Sequence, residues 1–327
     1  MKVLVTGATG FIGRYLVRRL ISDGRQVRAL VLPDEDTSTI NHCGAEIVRG
    51  NVVDYQSVKQ AASSCRQIFH LAGKTEASGA SRTDFTGVNV QGTENVARAA
   101  LSVGVDRLVF SSSGAAYYGK DLSNRAISEE TKPFPDSPYG RSKFQAEQVL
   151  LSHHRCANLP VVLARINAVL GPGAMSWLNL FRTIADGKFR LIGEGNNYHH
   201  PSDIADIVEG LALCGSIPGI EGQAFILVGA KPVRFRDLVA TIIEAVGAPK
   251  MPSSLPAGPF HLYQRMSRHF FSWTGRRLPR ADRSDLYFGD QAFDLSRSRR
   301  VLGYIPKVST KEAVRRTATW FKKQGYL

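Results

Sequence analysis

The sequence predicts an α/β chain: a doubly wound parallel sheet with a smaller C-terminal lobe. Three observations predict it. Residues 1–13 read MKVLVTGATGFIG, an apolar run followed by glycines at every third position. Short apolar runs then alternate with helix-like patterns to about residue 170, the spacing of βαβ units. After Gly171 that rhythm breaks, as expected where a second lobe begins.

The elements follow in order. Val3 to Val5 read as a buried parallel strand. Gly7 permits a tight turn, Gly10 lets the backbone approach a pyrophosphate, and Gly13 clears the place where a helix packs on the sheet. The free N–H groups of a helix start suit a diphosphate. The spacing is G-x-x-G-x-x-G rather than G-x-G-x-x-G, yet it stands between a strand and a helix, so a Rossmann-type nucleotide fold is predicted. Residues 13–22 form the first helix, closed by Asp23-Gly24. Strands are expected at 27–32, 46–50, 67–71, 107–111 and 160–164, with helices at 57–63, 88–103 and 138–152, the last started by Pro138. Beyond 171, helices at 177–186, 204–214 and 235–246 flank a strand at 224–228, and 252–259 reads as a loop. Residues 1–170 are expected to bind cofactor, with about 201–230 returning to that domain; most of 171–327 is the substrate-binding lobe.

Composition narrows the class. Hydrophobic residues are 43% and charged residues 21% of the 327, values of a globular chain. The four cysteines are scattered with no C-x-x-C pair, which argues against zinc or redox motifs and for a reducing, cytoplasmic setting. The first strand starts almost at residue 1, so no signal peptide is expected, and no run of 18 apolar residues occurs. The net charge is +14, and residues 251–327 hold 15 Lys+Arg against 5 Asp+Glu. A solvated basic face is the expected meaning; no nucleic-acid motif accompanies it. Residues 259–273 interleave Phe260, Leu262, Tyr263, Met266, Phe270, Phe271 and Trp273 with Arg265 and Arg268. That pattern fits a membrane-surface helix, but a helix covering a substrate cleft or a partner is favoured.

Two features carry chemistry. Tyr139 and Lys143, four apart on a predicted helix, share one face. A phenol is a poor base at neutral pH, and a nearby ammonium lowers its pKa, so the pair can shuttle a proton. Leu108 to Ser113 reads as a strand end bearing three serines, and such ends face the ligand crevice of doubly wound sheets.

With these residues in view, the chain resembles the extended short-chain dehydrogenase/reductases, also called NAD-dependent epimerase/dehydratases. The resemblance rests on TGATGFIG (6–13), HLAG (70–73), VNVQGTENV (88–96), SSSGAAYYG (111–119), SPYGRSK (137–143), GPG (171–173) and FDLSRSRRVLGYIP (293–306). It implies that Gly7, Gly10 and Gly13, with Phe11 and Ile12, bind the cofactor pyrophosphate. It places Asn51, where relatives usually have aspartate, and Val52 near the adenine, and Ala72 and Gly73 along the cofactor. Asn89 braces the site, Tyr139 is the general acid/base, and Lys143 binds the nicotinamide ribose. The catalytic serine is Ser113, with Ser112 as the alternative because SSSGAAYYG is one residue longer than in many relatives.

Val31 and Leu32 stand where an acid would favour NAD or an arginine NADP. Asp34, Glu35 and Asp36 follow, while Arg14 lies beside the glycine turn; NAD(H) is preferred and NADP stays open. For substrate, a small molecule, two readings compete. Epimerases and dehydratases of nucleotide sugars place an arginine where His199 falls, and histidine is a poor diphosphate clamp. Arg280 through Asp290 to Phe293-Asp294 looks more like the sterol and keto-acid reducing branch, so a dehydrogenase or reductase is favoured. His199 and His200 are then polar surface residues. A cofactor sensor or assembly protein on this fold is the non-enzyme alternative, opposed by the Tyr139/Lys143 pair. The resemblance also implies a homodimer through helices 88–103 and 138–152, with Val96, Phe144 and Leu151 in the contact.

Overall fold

The computed structural model describes residues 1–75, 81–117, 126–135, 137–249, 254–260, 262, 266 and 289–327. Seven strands form the central sheet: β1 (Lys2–Thr6), β2 (Gln26–Val31), β3 (Glu46–Arg49), β4 (Gln67–His70), β5 (Arg107–Ser113), β6 (Val161–Ile166) and β7 (Ala224–Leu227). Their order is β7-β6-β5-β4-β1-β2-β3, and every neighbouring pair is parallel. The direction of winding reverses between β1 and β4, so the crevice at their C-terminal ends is the topological switch point.

Strand alternation explains the two layers of helices. Val3 and Val5 of β1 face one side, in a core shared with Leu16 and Val17 of α1 (Phe11–Ser22) and Ile207 and Leu211 of α6 (Ile204–Ser216). Leu4 faces the other, with residues of α2 (Tyr55–Ala62), α3 (Gly92–Val103) and α4 (Pro138–Ala157), among them Val58, Val96 and Leu150. A separate cluster, Phe181, Phe235, Leu238 and Phe321, joins α5 (Leu178–Ala185), α7 (Phe235–Val246) and α8 (Thr310–Lys323). The closing segment is tied back to the sheet: Ser298 Oγ donates to Ile226 O at 2.7 Å, and the buried Tyr304 hydroxyl donates to Val228 O at 3.0 Å.

Four differences from the sequence reading matter. First, β5 runs to Ser113 rather than Ser111, because the three serines are covered and make ladder bonds with β6. Second, the helix predicted from Val88 enters through a π-helical stretch, Phe85–Gln91. Third, the segment read as a loop, 252–259, contains Ser254–Leu255, paired in parallel with Leu191–Ile192, and the start of a helical stretch at 257 that runs to 260. Fourth, Val96 is fully buried inside the subunit and cannot join a dimer contact; Phe144 and Leu151 are partly buried against the same subunit's cores. Most of the aromatic segment 259–273, with Arg276, Arg277 and Arg280, lies outside the described residues.

Candidate active site

The glycine turn opens at the switch point. Gly7 has φ +66°, and a Cβ there would lie 2.7 Å from Ala72 N. A Cβ on Gly13 would lie 2.0 Å from Gly7 O, so α1 can pack this closely on the turn only through glycine. Gly10 precedes α1 in an extended conformation, and no side chain caps the helix. Thr9 Oγ1, inside this turn, is buried with no hydrogen-bond partner among the described residues. The turn therefore presents an uncapped helix start and an orphaned hydroxyl together, an arrangement suited to a diphosphate.

A relay of hydrogen bonds fixes the opposite wall. Ala72 N donates to Thr6 Oγ1 at 3.2 Å, and Thr6 Oγ1 lies 2.8 Å from His70 Nδ1. His70 Nε2 lies 3.0 Å from Thr93 Oγ1, which donates to Asn89 O at 2.6 Å. Because Thr93 spends its proton on Asn89, the histidine donates through Nε2 and accepts through Nδ1. Burial, aided by the Lys143 charge, pushes the His70 pKa down to about 3, so the ring is neutral. The relay is not legible in the sequence, because Thr6, His70 and Thr93 lie far apart along the chain.

Asn89 ties the Lys74 backbone to helix α4. Its Oδ1 accepts from Lys74 N at 2.8 Å, and its Nδ2 donates to Lys74 O at 3.0 Å and to Ser142 Oγ at 2.9 Å. A Cβ on Gly73 would lie 3.0 Å from Asn89 Oδ1 and 3.5 Å from Lys143 Nζ. Gly73, Asn89 and Lys143 thus converge.

Helix α4 starts cleanly: Ser137 Oγ accepts from Gly140 N at 3.0 Å, and Pro138 occupies the first helical position. Tyr139 is partly buried, with its ring centroid 6.0 Å from that of Phe85. Lys143 is 5% exposed, donates to Ser111 O at 2.7 Å and lies 4.7 Å from the centre of the Phe110 ring. Burial pushes its pKa down to about 8, against the opposing pull of Glu147. The two serines differ. Ser112 Oγ donates to the buried Glu147 carboxylate. Ser113 Oγ accepts from Ala115 N at 3.2 Å, a bond that uses a lone pair and not its proton.

At the far end, Asn51 Oδ1 accepts from Val53 N at 3.2 Å, and Asn95 Nδ2 donates to Val52 O and Val53 O at 3.0 and 2.9 Å. Asn95 is a further residue that the sequence reading passed over. After β2, Leu32 N donates to Glu35 Oε2 at 3.2 Å, and Arg49 donates to the carbonyls of Leu32, Pro33 and Glu35. Beyond Ser113, a Cβ on Gly114 would lie 2.6 Å from the Phe293 ring and 3.3 Å from Asn167 Oδ1.

His199 and His200 are not surface residues: they are 2% and 1% exposed. Strand pairing of Tyr198–His199 with Val233–Arg234 folds His199 against Phe235, ring centroids 4.9 Å apart. His200 bridges Gly229 O (2.8 Å) and Phe293 N (3.2 Å), and burial lowers its pKa to about 4. Asp203 caps α6, and Asp206 accepts from Lys307 N and Val308 N, so both are structural.

The profile of the NAD-dependent epimerase/dehydratase family matches residues 3–214. The chain is 29% identical to a 2-alkyl-3-oxoalkanoate reductase of Stenotrophomonas maltophilia over 97% of its own length and 98% of that protein. It is 30% identical to sterol demethylase protein B of Methylococcus capsulatus over the whole of both chains. Among solved structures, that of gox2253 superposes with a TM-score of 0.87 at 26% identity, covering 99% of each chain. The seven-stranded parallel sheet agrees with this match. The chain belongs to the NAD-dependent epimerase/dehydratase family, the extended short-chain dehydrogenase/reductases.

Proposed function

We propose that the chain is an NAD(H)-dependent dehydrogenase/reductase acting at a hydroxyl or ketone carbon of a small, largely apolar substrate. The observation that carries this reading is Lys143, buried beside Ser111, Asn89 and Gly73 on the helix that bears Tyr139. NAD(H) would supply or accept a hydride at the substrate carbon. Gly7, Gly10 and Gly13, with the backbone of Phe11 and Ile12, would hold its diphosphate; Asn51, Val52, Ala72 and Gly73 would line it. The orphaned Thr9 hydroxyl supports that fit.

The residues of the chain then divide the work. The Tyr139 phenol gives a proton to the carbonyl oxygen in reduction, or takes it from the hydroxyl in oxidation. Lys143, held by Ser111 O, keeps positive charge near that phenol and favours the phenolate when the proton leaves. Ser113 donates its proton to the same substrate oxygen, while Ser112 is occupied by Glu147. Asn89 fixes the backbone at Lys74 and thereby the wall opposite α4.

A ketone substrate is preferred to a nucleotide sugar because the position expected to clamp a diphosphate is His199, buried under Phe235. The S. maltophilia relative is named as a reductase of 2-alkyl-3-oxoalkanoates, which supports an apolar keto-acid class. NAD is preferred to NADP because the carboxylate of Glu35 is bonded to Leu32 N at the end of β2, where an acid suits the adenosine ribose hydroxyls, while Arg49 at the same turn is engaged by the carbonyls of Leu32, Pro33 and Glu35. The test is NADH oxidation with a panel of 3-oxo acids and ketosteroids, beside binding of UDP-glucose. Turnover of a ketone with no micromolar UDP-glucose binding is expected; the reverse would make the protein a nucleotide-sugar enzyme.

The division of labour between 1–170 with 201–230 and the rest of 171–327 belongs to the same proposal. So does a homodimer through the outward faces of α3 and α4, checked by light scattering, with a monomer at high micromolar concentration as the contrary result. No described helix is long and apolar enough to cross a membrane, and a cytoplasmic location is proposed on that and the absence of paired cysteines.

A further inference from the structure

Glu147 follows Lys143 by one helical turn, as Lys143 follows Tyr139, so the three form one stripe along α4. Its side chain is wholly buried, where an ionised carboxylate needs every lone pair occupied. It receives that number of donors: Ser112 Oγ from β5, the Tyr117 hydroxyl from the turn after β5, and Arg165 of β6 through Nε at 3.1 Å and a terminal nitrogen at 2.9 Å. Arg165 also stacks 3.8 Å from the centre of the Tyr117 ring and donates to Glu129 O at 2.8 Å. The carboxylate therefore gathers α4, β5 and β6 at one point, directly behind the strand end that carries Ser111 and Ser113.

We infer that Glu147 is a positioning residue of the catalytic group, fixing the end of β5 against α4 and holding the Lys143 ammonium in its charged form. This rests on the reading that Tyr139 and Lys143 perform the proton transfer.

The geometry has two consequences. Ser112 is pinned toward Glu147, and strand alternation directs Ser113 to the opposite face of β5. Lys143 donates to the carbonyl of Ser111 in the same clamped segment, so its ammonium is located by the clamp as well. The charge around Lys143 is lopsided. Tyr139 and Glu147 flank it on α4; His70 faces it from β4 as a neutral ring; Asn89 and the Ser111 carbonyl are uncharged; Arg165 of β6 stands on the far side of Glu147. Glu147 is thus the anion that offsets the desolvation of the ammonium. Tyr117, bonded to the same carboxylate, is held protonated by burial and by that negative charge, so it donates to Glu147.

The test compares Glu147→Gln with Glu147→Asp. One readout needs neither cofactor nor substrate: the pH dependence of Lys143 labelling by an amine-reactive reagent, followed by peptide mass spectrometry. The half-labelling pH, about 8 in the parent, moves down by about one unit in Glu147→Gln and stays near 8 in Glu147→Asp. The second readout is kcat/KM for NADH-dependent reduction of a 3-oxo acid. Its alkaline limb moves to lower pH in Glu147→Gln, with a loss on the order of tenfold or more at pH 8, and Glu147→Asp restores the limb. If Glu147→Gln does not fold, Glu147→Gln combined with Arg165→Met, which also removes the guanidinium that loses its partner, takes its place and shifts the labelling in the same direction. An unmoved labelling pH in a folded variant overturns the inference. Tyr139→Phe run in parallel separates the two failures: an active Tyr139→Phe overturns the underlying reading, and an inactive one with an unmoved Glu147→Gln profile overturns only the role of Glu147.

Discussion

Lys143 Nζ donates to the backbone carbonyl of Ser111 at 2.7 Å, joining the helix that bears Tyr139 to the strand that bears Ser113. One buried cation therefore ties the helix that carries one of the proposed catalytic groups to the strand that carries the other. Replacing it by Met removes both charge and tether, and a fall in kcat of about 10²–10⁴ is expected with the fold retained by circular dichroism.

The two serines separate by function. Ser113→Ala is expected to lower kcat by roughly 10–10³ with little change in Tm, because it removes a proton donor to the reacting oxygen. Ser112→Ala leaves the buried Glu147 short of one donor, so it is expected to cost about 1–3 kcal/mol of stability and less in kcat. Steady-state kinetics and thermal melts of both variants check this; equal kinetic losses would contradict the assignment.

Gly13→Ala drives a methyl group to 2.0 Å from Gly7 O, a contact that backbone must move to relieve. A loss of about 1–3 kcal/mol is expected, with NADH affinity down at least about tenfold as the turn shifts. Denaturant melts and fluorescence titration measure the two effects.

Acid stability follows from His70. Its folded pKa, about 3, lies below the ordinary value of 6.5, so the unfolded state binds more protons between those values. Stability therefore rises with pH across that window and is lost progressively as pH falls from about 6.5 toward 3. His70→Gln, which cannot titrate, is expected to flatten that part of the profile while weakening the bonds to Thr6 and Thr93.

Cofactor choice is measurable directly. With Glu35 bonded at Leu32 N, kcat/KM is expected to favour NADH over NADPH by at least about tenfold. Glu35→Gln should narrow the ratio; a parent preference for NADPH would contradict the proposal.

The sequence made much of this legible because its patterns are local. MKVLVTGATGFIG carries strand, turn and helix in thirteen residues, and Tyr139 and Lys143 share a helix face. What it hid is held by contacts across long separations. His70 meets Thr6 and Thr93, and Glu147 meets Ser112, Tyr117 and Arg165 from other elements; no spacing rule announces such pairs. His199 and His200 were misplaced for a related reason. Polar residues beside Asn196 and Asn197 read as surface, yet a two-residue ladder and Phe235 cover His199, and His200 is buried by its bonds to Gly229 and Phe293. Val96 likewise reads as an apolar contact residue until the second face of the sheet claims it.

In the proposed mechanism the Tyr139 hydroxyl moves the proton while the rest of the site holds cofactor and substrate. Tyr139→Phe deletes that oxygen alone and leaves the ring beside Phe85. The decisive measurement is its single-turnover rate of NADH oxidation with a ketone substrate, taken beside NADH affinity. A rate lower by about 10²–10⁴ is expected, with affinity within a few-fold of the parent; a near-parent rate would show that another group moves the proton.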